Sequence, residues 1–450
     1  MEPEYGADVH FSPRSCDGKI PRRSGVPESS ARLERYAAAM IELHPHDMAH
    51  GGEAVARSDG KAHFVAGAMP GEVVVGTVIE DKGSWARVAL VEVREPAEGR
   101  RDAPCPHADL CGGCQWQFAD ESIQRDWKRT TIIGQLEHLG RVASPLVHPT
   151  IDTGHQLAYR NRMDFHIVDG KPALYRARSN DLVPLSTCLL LAPPLQEVFD
   201  RLGDLGGVSR LTLRCGIRTN DTVALIEGET PDDVESWGVP VIHVDGTSLR
   251  TVIGDPVLSE IVDDVRFEIP PEGFFQNNTY GAETLVSLVR DILEVTEEET
   301  LLDGYCGIGL FGATVGRDAH RVIGMDSSPR AIKYARRNMA AAGVDAHMRT
   351  GSMTRDIESF DEYWDVAVVD PPRKGLGERG VAAVTSAMPR TIAYVSCDPA
   401  SFARDTRLLA ESGYSFIEAT PVDMFPQTFH VEIVGRFDRA LLGDDEGSDE

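Results

Sequence analysis

Hydrophobic and polar positions change their rhythm along this chain. From Tyr36 to about Glu95, short β-branched runs separated by glycines (Ala54–Ala56, His63–Ala66, Glu72–Glu80 and Ala86–Val93) predict closely spaced strands, the pattern of a small OB-like β-barrel. Between Arg94 and Cys105 the apolar residues give way to Pro, Glu, Arg and Asp, as in a linker. From about Pro106 to Pro271, strand-like runs mix with one long helical pattern, Asp120–Leu139. From about Phe274 to Leu442, apolar strands at Leu301–Leu302, Arg321–Met325, Asp365–Val369 and Thr391–Val395 alternate with helical stretches such as Pro329–Ala342. That alternation predicts a doubly wound α/β sheet, which takes its ligand outside the carboxyl ends of the strands.

At 450 residues the chain has room for two or three cores. The expected division is an arm over 1–35, a barrel over 36–95, a mixed α/β central domain over 96–270, an α/β domain over 271–442 and an acidic tail over 443–450. The arm is rich in Pro, Ser, Gly and charge, and is expected to be disordered. With 42% apolar residues, no apolar run of bilayer length and no signal-peptide pattern, a cytoplasmic protein without a membrane partner is expected. The net charge of -26 weighs against a nucleic-acid partner. Locally the balance reverses: Ser122 to Arg178 holds nine Lys and Arg against five acids, a net of +4.

The first candidate for chemistry is Leu301 to Phe311, LLDGYCGIGLF. A strand ends at Asp303, and Gly304, Gly307 and Gly309 then allow a tight turn through which backbone can approach a ligand. Asp326 closes the next strand 23 residues later, where a carboxylate can accept hydrogen bonds from ribose hydroxyls. The GxGxxG spacing of a dinucleotide site is absent; D-x-x-x-G-x-G resembles the cofactor turn of class I methyltransferases. Asp370-Pro371-Pro372-Arg373 follows the strand Asp365–Val369, and its prolines predict a rigid strand end that presents Asp370 to the pocket.

Cys397 follows the next strand, in Tyr394-Val395-Ser396-Cys397-Asp398-Pro399. A lone cysteine is more often a core residue, but one just beyond a strand's carboxyl end opens into the same crevice as the cofactor. A thiolate there can attack carbon 6 of a pyrimidine. Glu432 lies among the apolar residues Phe429, Val431, Ile433 and Val434, which imply burial and a pKa raised toward neutrality, as suits a general base.

Together, Phe274–Asn278 (FFQNN), Leu302–Phe311, Asp370–Gly375 (DPPRKG), Tyr394–Asp405 (YVSCDPASFARD) and Asp423–Glu432 resemble, in order and spacing, the motifs of the RNA uridine-5 methyltransferase family. The resemblance implies S-adenosylmethionine as cofactor, Cys397 as nucleophile, Glu432 as the base that removes the carbon-5 proton, and Asp370 beside cofactor and base. It also implies that Gln276, Tyr305 and Asp326 line the cofactor site. Leu310 stands where close relatives often carry Asn, with an expected effect on cofactor contacts. Asp398 stands where they carry Asn after the cysteine, and its charge is expected to raise the thiol pKa.

Cys105-x5-Cys111-x2-Cys114, with Cys188 far downstream, is a second candidate site. In a reduced compartment four thiols suit zinc or an iron–sulfur cluster, and chemistry alone leaves the metal open. Resemblance to the cluster-bearing branch of the family favours a [4Fe-4S] cluster, with zinc as the alternative. Tyr159-Arg160-Asn161-Arg162 and Tyr175-Arg176-Ala177-Arg178 interleave aromatic residues with arginine, as RNA-contacting surfaces do. Gly51-Gly52-Glu53 and Pro70-Gly71-Glu72-Val73 carry a resemblance of the barrel to a TRAM domain, an RNA-binding module. The expectation is a monomeric RNA methyltransferase acting on a uridine, with ribosomal RNA favoured over transfer RNA.

Overall fold

The computed structural model describes residues 40–357 and 362–440, so the expected arm and acidic tail lie outside the described residues. The chain forms two compact units. The first comprises residues up to Asp102 together with Phe118–Asp120. Its six strands, from Met40–Leu43 to Trp85–Glu95, form one sheet. Glu72 is buried there; its carboxylate accepts from the Met69 amide and pairs with Arg100, so the charge enters the interior already neutralised.

The second unit holds Ala103–Gln117 and everything from Glu121 onward, and no boundary between compact units falls near residue 270. The helical pattern expected over Asp120–Leu139 is α1 (Glu121–His138). A seven-stranded sheet follows between Arg162–Val168 and Ser248–Ile253, and α2 (Thr279–Leu293) leads into the last sheet. That sheet comprises β1 (Thr300–Gly304), β2 (Arg321–Asp326), β3 (Ala346–Thr350), β4 (Val366–Val369), β5 (Thr391–Ser396), β6 (Tyr414–Val422) and β7 (Glu432–Arg439). Between them lie α3 (Leu310–Thr314), α4 (Pro329–Ala342), α5 (Gly377–Thr385) and α6 (Pro399–Glu411). The strand order is β3-β2-β1-β4-β5-β7-β6, with β1 to β5 parallel and β7 antiparallel to both its neighbours. Connections from β1 lead outward in both directions, so the sheet has its switch point between β1 and β4, where such folds bind ligands.

Both faces of this sheet are covered, which is why its strands read as continuous apolar runs and not as alternations. Leu301, Val366, Val368, Ala393 and Val395 join the core beneath α2 and α4, while Leu302, Ala367, Val369, Ile392 and Tyr394 join the core that contains Ile132 and Leu136 of α1. Successive residues thus alternate between two apolar layers. Helix α1, although it comes from the central segment, is part of the wall of the last sheet.

Candidate active site

The carboxyl ends of the parallel strands are level. Gly304 pairs with Met325 on one side and Val369 on the other, and Val369 pairs with Tyr394. Beyond this row the chain carries Tyr305, Asp326, Asp370 and Cys397, the residues singled out from sequence.

After β1 the turn requires its unusual backbone. Tyr305 (φ 61°), Gly307 (φ 53°) and Gly309 (φ 88°) are all left-handed. A Cβ on Gly309 would meet Met339 Cε at 2.8 Å, so this glycine is there for close helix packing; one on Gly307 would meet nothing within 4 Å, so that glycine faces open space. Asp303 is buried, and its Oδ2 accepts the Gly312 amide at 2.9 Å, which ties the start of α3 to the end of β1. Burial pushes its carboxyl up to about 7. Asp326 accepts the amides of Gly307 (3.1 Å) and Ser328 (2.7 Å), so it braces the glycine turn as well as closing β2. The Tyr305 hydroxyl lies beside Gly380 of α5. Leu310 is buried in the core with Ile308 and Phe311.

The FFQNN stretch splits its work. Gln276 is buried and donates to Asp370 Oδ2 at 3.3 Å. Asn278 caps α2 through Gly281 N and donates to the Met424 carbonyl at 3.0 Å. Open backbone at Gly307, the braced Asp326 and the Gln276–Asp370 pair form a polar cradle at the switch point, which fits a nucleoside-bearing cofactor.

Sheet register brings the reactive pair together. Ser396 of β5 opposes Ile433 of β7 on the last rung of their antiparallel ladder, so Cys397, just past the end of β5, comes within electrostatic reach of Glu432, the first residue of β7. Glu432 is 5% exposed and its Oε2 has no hydrogen-bond partner. Burial, with Asp370 adding to it, holds its carboxyl well above the usual range, while Arg373 opposes the shift. Burial likewise raises Asp370 to about 7. The Cys397 thiol is pushed up to about 12, first by burial, then by Glu432 and Asp370; Arg373 draws it down and Asp398 adds a smaller upward push. Asp398 also caps α6, accepting the Ser401 amide at 2.7 Å.

Two contributors carried no assigned role in the sequence reading. Arg373, exposed within the DPPR turn, is the cation that opposes the acidic field at Cys397 and Glu432. Asp405, fully buried, accepts the amides of Leu376 (2.7 Å) and Gly377 (3.1 Å) and the Tyr394 hydroxyl (2.9 Å), which fixes the DPPRKG turn against α6. The motif YVSCDPASFARD contained both ends of this tie; only the fold shows what they hold.

The four cysteines of the central segment, Cys105, Cys111, Cys114 and Cys188, line one cavity of about 290 Å³ together with His107, Arg160 and Tyr175. Burial raises Cys111 and Cys188, and Cys114 reaches about 12, with Cys188 and Cys111 adding to it. Among the described residues no group of three or more His, Cys, Asp or Glu side chains is drawn together ready for a metal ion. Four thiols around one cavity are nonetheless the donor set of zinc or an iron–sulfur cluster. Gly112 pairs with Tyr175 through its amide (2.8 Å), and a Cβ there would meet Ala177 N at 2.8 Å, so the cysteine loop is fitted against the Tyr175–Arg178 turn.

Only one of the two arginine–aromatic stretches is a surface. Tyr175, Arg176 and Arg178 are exposed. The expectation for Tyr159-Arg160-Asn161-Arg162 is corrected: Tyr159 is fully buried with its hydroxyl on the Pro426 carbonyl (3.1 Å), Asn161 holds the Gln276 carbonyl (2.9 Å), and Arg162 pairs with Asp164. Interleaved aromatic and basic residues look alike on an RNA surface and in a buried hydrogen-bonded seam.

A sheet of this order, with a glycine turn after β1, an acidic residue closing β2 and an Asp-Pro-Pro turn after β4, is that of a class I methyltransferase. The family model described as tRNA (Uracil-5-)-methyltransferase matches residues 257–437. An uncharacterised RNA methyltransferase of Gloeobacter violaceus is 33% identical, covering 87% of this chain and 95% of its own length. One from Streptomyces coelicolor is also 33% identical, covering 90% of this chain and 93% of its own. The crystal structure of a Pyrococcus abyssi tRNA (uracil-54, C5)-methyltransferase with S-adenosyl-L-homocysteine is 26% identical with a TM-score of 0.72, covering 88% of this chain and 99% of that one. The chain belongs to the RNA uracil-5 methyltransferase family. Its chemistry is S-adenosylmethionine-dependent methylation of uracil carbon 5 in RNA.

Proposed function

We propose that methylation proceeds through a covalent bond between Cys397 and carbon 6 of a uridine that has left its stack. The observation that carries this reading is the place of Cys397, just past the end of β5 and within electrostatic reach of both the buried Glu432 and Asp370. Carbon 5 of uracil is a poor nucleophile until a thiolate adds to carbon 6. With its pKa near 12 the resting thiol is protonated, so its proton must leave as the S–C6 bond forms. Two buried carboxyls serve the two protons of the cycle. Asp370 takes the one from sulfur as the C5–C6 π electrons move toward carbon 5 and O4, and Glu432, whose raised pKa favours the protonated form at rest, must give up its own proton before it can take the next. S-adenosylmethionine, held by Gln276, Tyr305, Asp326 and Asp370, supplies the methyl group. Glu432 then removes the carbon-5 proton, the C5–C6 double bond re-forms, and the C6–S bond breaks to release the thiolate, which recovers its proton from Asp370, while Glu432 passes the carbon-5 proton to solvent.

The exposed Tyr175–Arg178 turn, backed by the locally basic segment, is proposed to receive the RNA backbone, and the N-terminal sheet to act as a TRAM-like RNA-binding module. Cys105, Cys111, Cys114 and Cys188 are proposed to hold a [4Fe-4S] cluster, with zinc as the alternative. The enzyme is proposed to be a cytoplasmic monomer. Ribosomal RNA is the proposed substrate, whereas the solved neighbour acts on tRNA, so mapping 5-methyluridine in total RNA of a deletion strain separates the two.

Trapping tests the mechanism. Ribosomal RNA transcripts containing 5-fluorouridine should give a denaturation-resistant protein–RNA adduct with the native enzyme and none with Cys397→Ala, which should still bind S-adenosylmethionine. Cys397→Ala that methylates within about tenfold of the native rate in single turnover would exclude the covalent route.

A further inference from the structure

The loop between β6 and β7 runs from Asp423 to Val431 and delivers Glu432 to the site. Four consecutive carbonyls of this loop are held from outside it. Asn278 Nδ2 donates to Met424 O (3.0 Å), Lys128 Nζ to Phe425 O (3.1 Å), the Tyr159 hydroxyl to Pro426 O (3.1 Å), and the amides of Gln115 and Trp116 both to Gln427 O (3.0 Å). Lys128 also forms a fully buried ion pair with Asp423, the first residue of the loop.

Gln427 is the centre of this clamp. It is fully buried and left-handed (φ 70°), a conformation its own side chain does not favour, so surrounding contacts must impose it. Its amide donates to Gln124 Oε1 and Gln124 Nε2 donates to Gln427 Oε1, both at 3.0 Å, which makes a reciprocal pair; Gln427 Nε2 reaches Glu121 Oε1 at 3.2 Å. Glu432 Oε2, by contrast, has no hydrogen-bond partner. The carboxylate is therefore aimed by the backbone that delivers it.

The donors are contiguous with the thiol cavity. Gln115 and Trp116 directly follow Cys114, Tyr159 precedes the cavity-lining Arg160, and the Arg160 guanidinium lies over the Phe425 ring at 5.9 Å. We infer that Gln124 and Tyr159 are positioning residues for Glu432, and that the clamp they form with Gln115 and Trp116 transmits the state of the thiol cavity to the proton-abstraction step. This rests on the reading of Glu432 as the carbon-5 base.

The test uses Tyr159→Phe, which removes one hydroxyl and keeps the ring, and Gln124→Met, which keeps the length and removes the amide. In single turnover on ribosomal RNA transcripts, methyl transfer should stay within about threefold of the native rate. Breakdown of the methylated adduct, followed on denaturing gels, should slow by about tenfold in Gln124→Met and by about threefold in Tyr159→Phe. Affinity for S-adenosylmethionine should not change. In Cys188→Ser, hydrogen exchange over residues 423–432 should rise. Glu432→Gln is the control that must itself accumulate adduct; if it does not, the assignment of the base fails and the inference with it. If it does, but the two clamp variants slow both steps equally or neither, or exchange in Cys188→Ser is unchanged, the inference alone is overturned. Should Gln124→Met not fold, Tyr159→Phe decides.

Discussion

Buried carboxyls are the most consequential single residues in this molecule. Asp303, Asp370 and Glu432 all lie at the ends of the central strands with pKa values above the ordinary range, each because burial penalises the charge. Asp303 touches no reacting atom in the proposed mechanism, so its titration is a pure stability effect. Its folded pKa, about 7, exceeds the ordinary aspartate value of 3.8, so the native state binds more protons and stability falls as pH rises between these values. Asn in its place keeps an acceptor for the Gly312 amide without the charge. Asp303→Asn should therefore gain on the native protein as pH goes from about 5 to 8, by on the order of 2 kcal/mol, read from melting curves without cofactor. A gap independent of pH would show that Asp303 is ionised throughout.

At the scale of elements, helix caps explain residues that look catalytic in the sequence. Asp398 follows Cys397, the proposed nucleophile, yet its clearest contact is with the first turn of α6. Asn and Asp cap helices about equally well, so an Asn at this position would serve the same structural need without the charge. Asp398→Asn should leave the melting temperature unchanged, lower the Cys397 pKa and speed adduct formation at neutral pH by about threefold, the effect of half a pKa unit. Adduct rates that do not change across pH 6 to 9 would mean that Asp398 exerts no field at the thiol. Helix α1 shows the same lesson in reverse. Its periodicity announced a helix, but Gln124 and Lys128, polar positions in the sequence pattern, are buried against the loop that carries Glu432.

Across the whole molecule the net charge is -26, and the exposed Arg176 and Arg178 are where local positive charge faces solvent beside the thiol cavity. The thiol cavity lies in the same compact unit as the catalytic sheet. Protein purified without oxygen should be brown and carry about four irons per chain, the loading of a cubane held by four thiolates. Cys188→Ser should lose the colour and weaken RNA binding more than cofactor binding, by filter binding against calorimetry. Colourless protein with one zinc per chain and normal RNA binding would put a four-thiolate zinc site in place of the cluster.

Local order of the chain was enough to determine the alternating α/β architecture, the glycine turn, the Asp-Pro-Pro turn and the position of Cys397 beyond a strand, because each depends on residues close in sequence. The helix Pro329–Ala342 matches its expected bounds for the same reason: Ser328 caps it, Pro329 opens it and Gly343 ends it. What only the tertiary structure decided depends on residues far apart. The pairing of β5 with β7 that brings Cys397 near Glu432, the burial of Tyr159 and Asn161 where an RNA surface was expected, and the hold of Gln115, Gln124 and Lys128 on residues 423–427 all join distant segments. A hydrogen-bond donor reads the same in a sequence whether it meets water, RNA or a buried carbonyl; packing alone determines which.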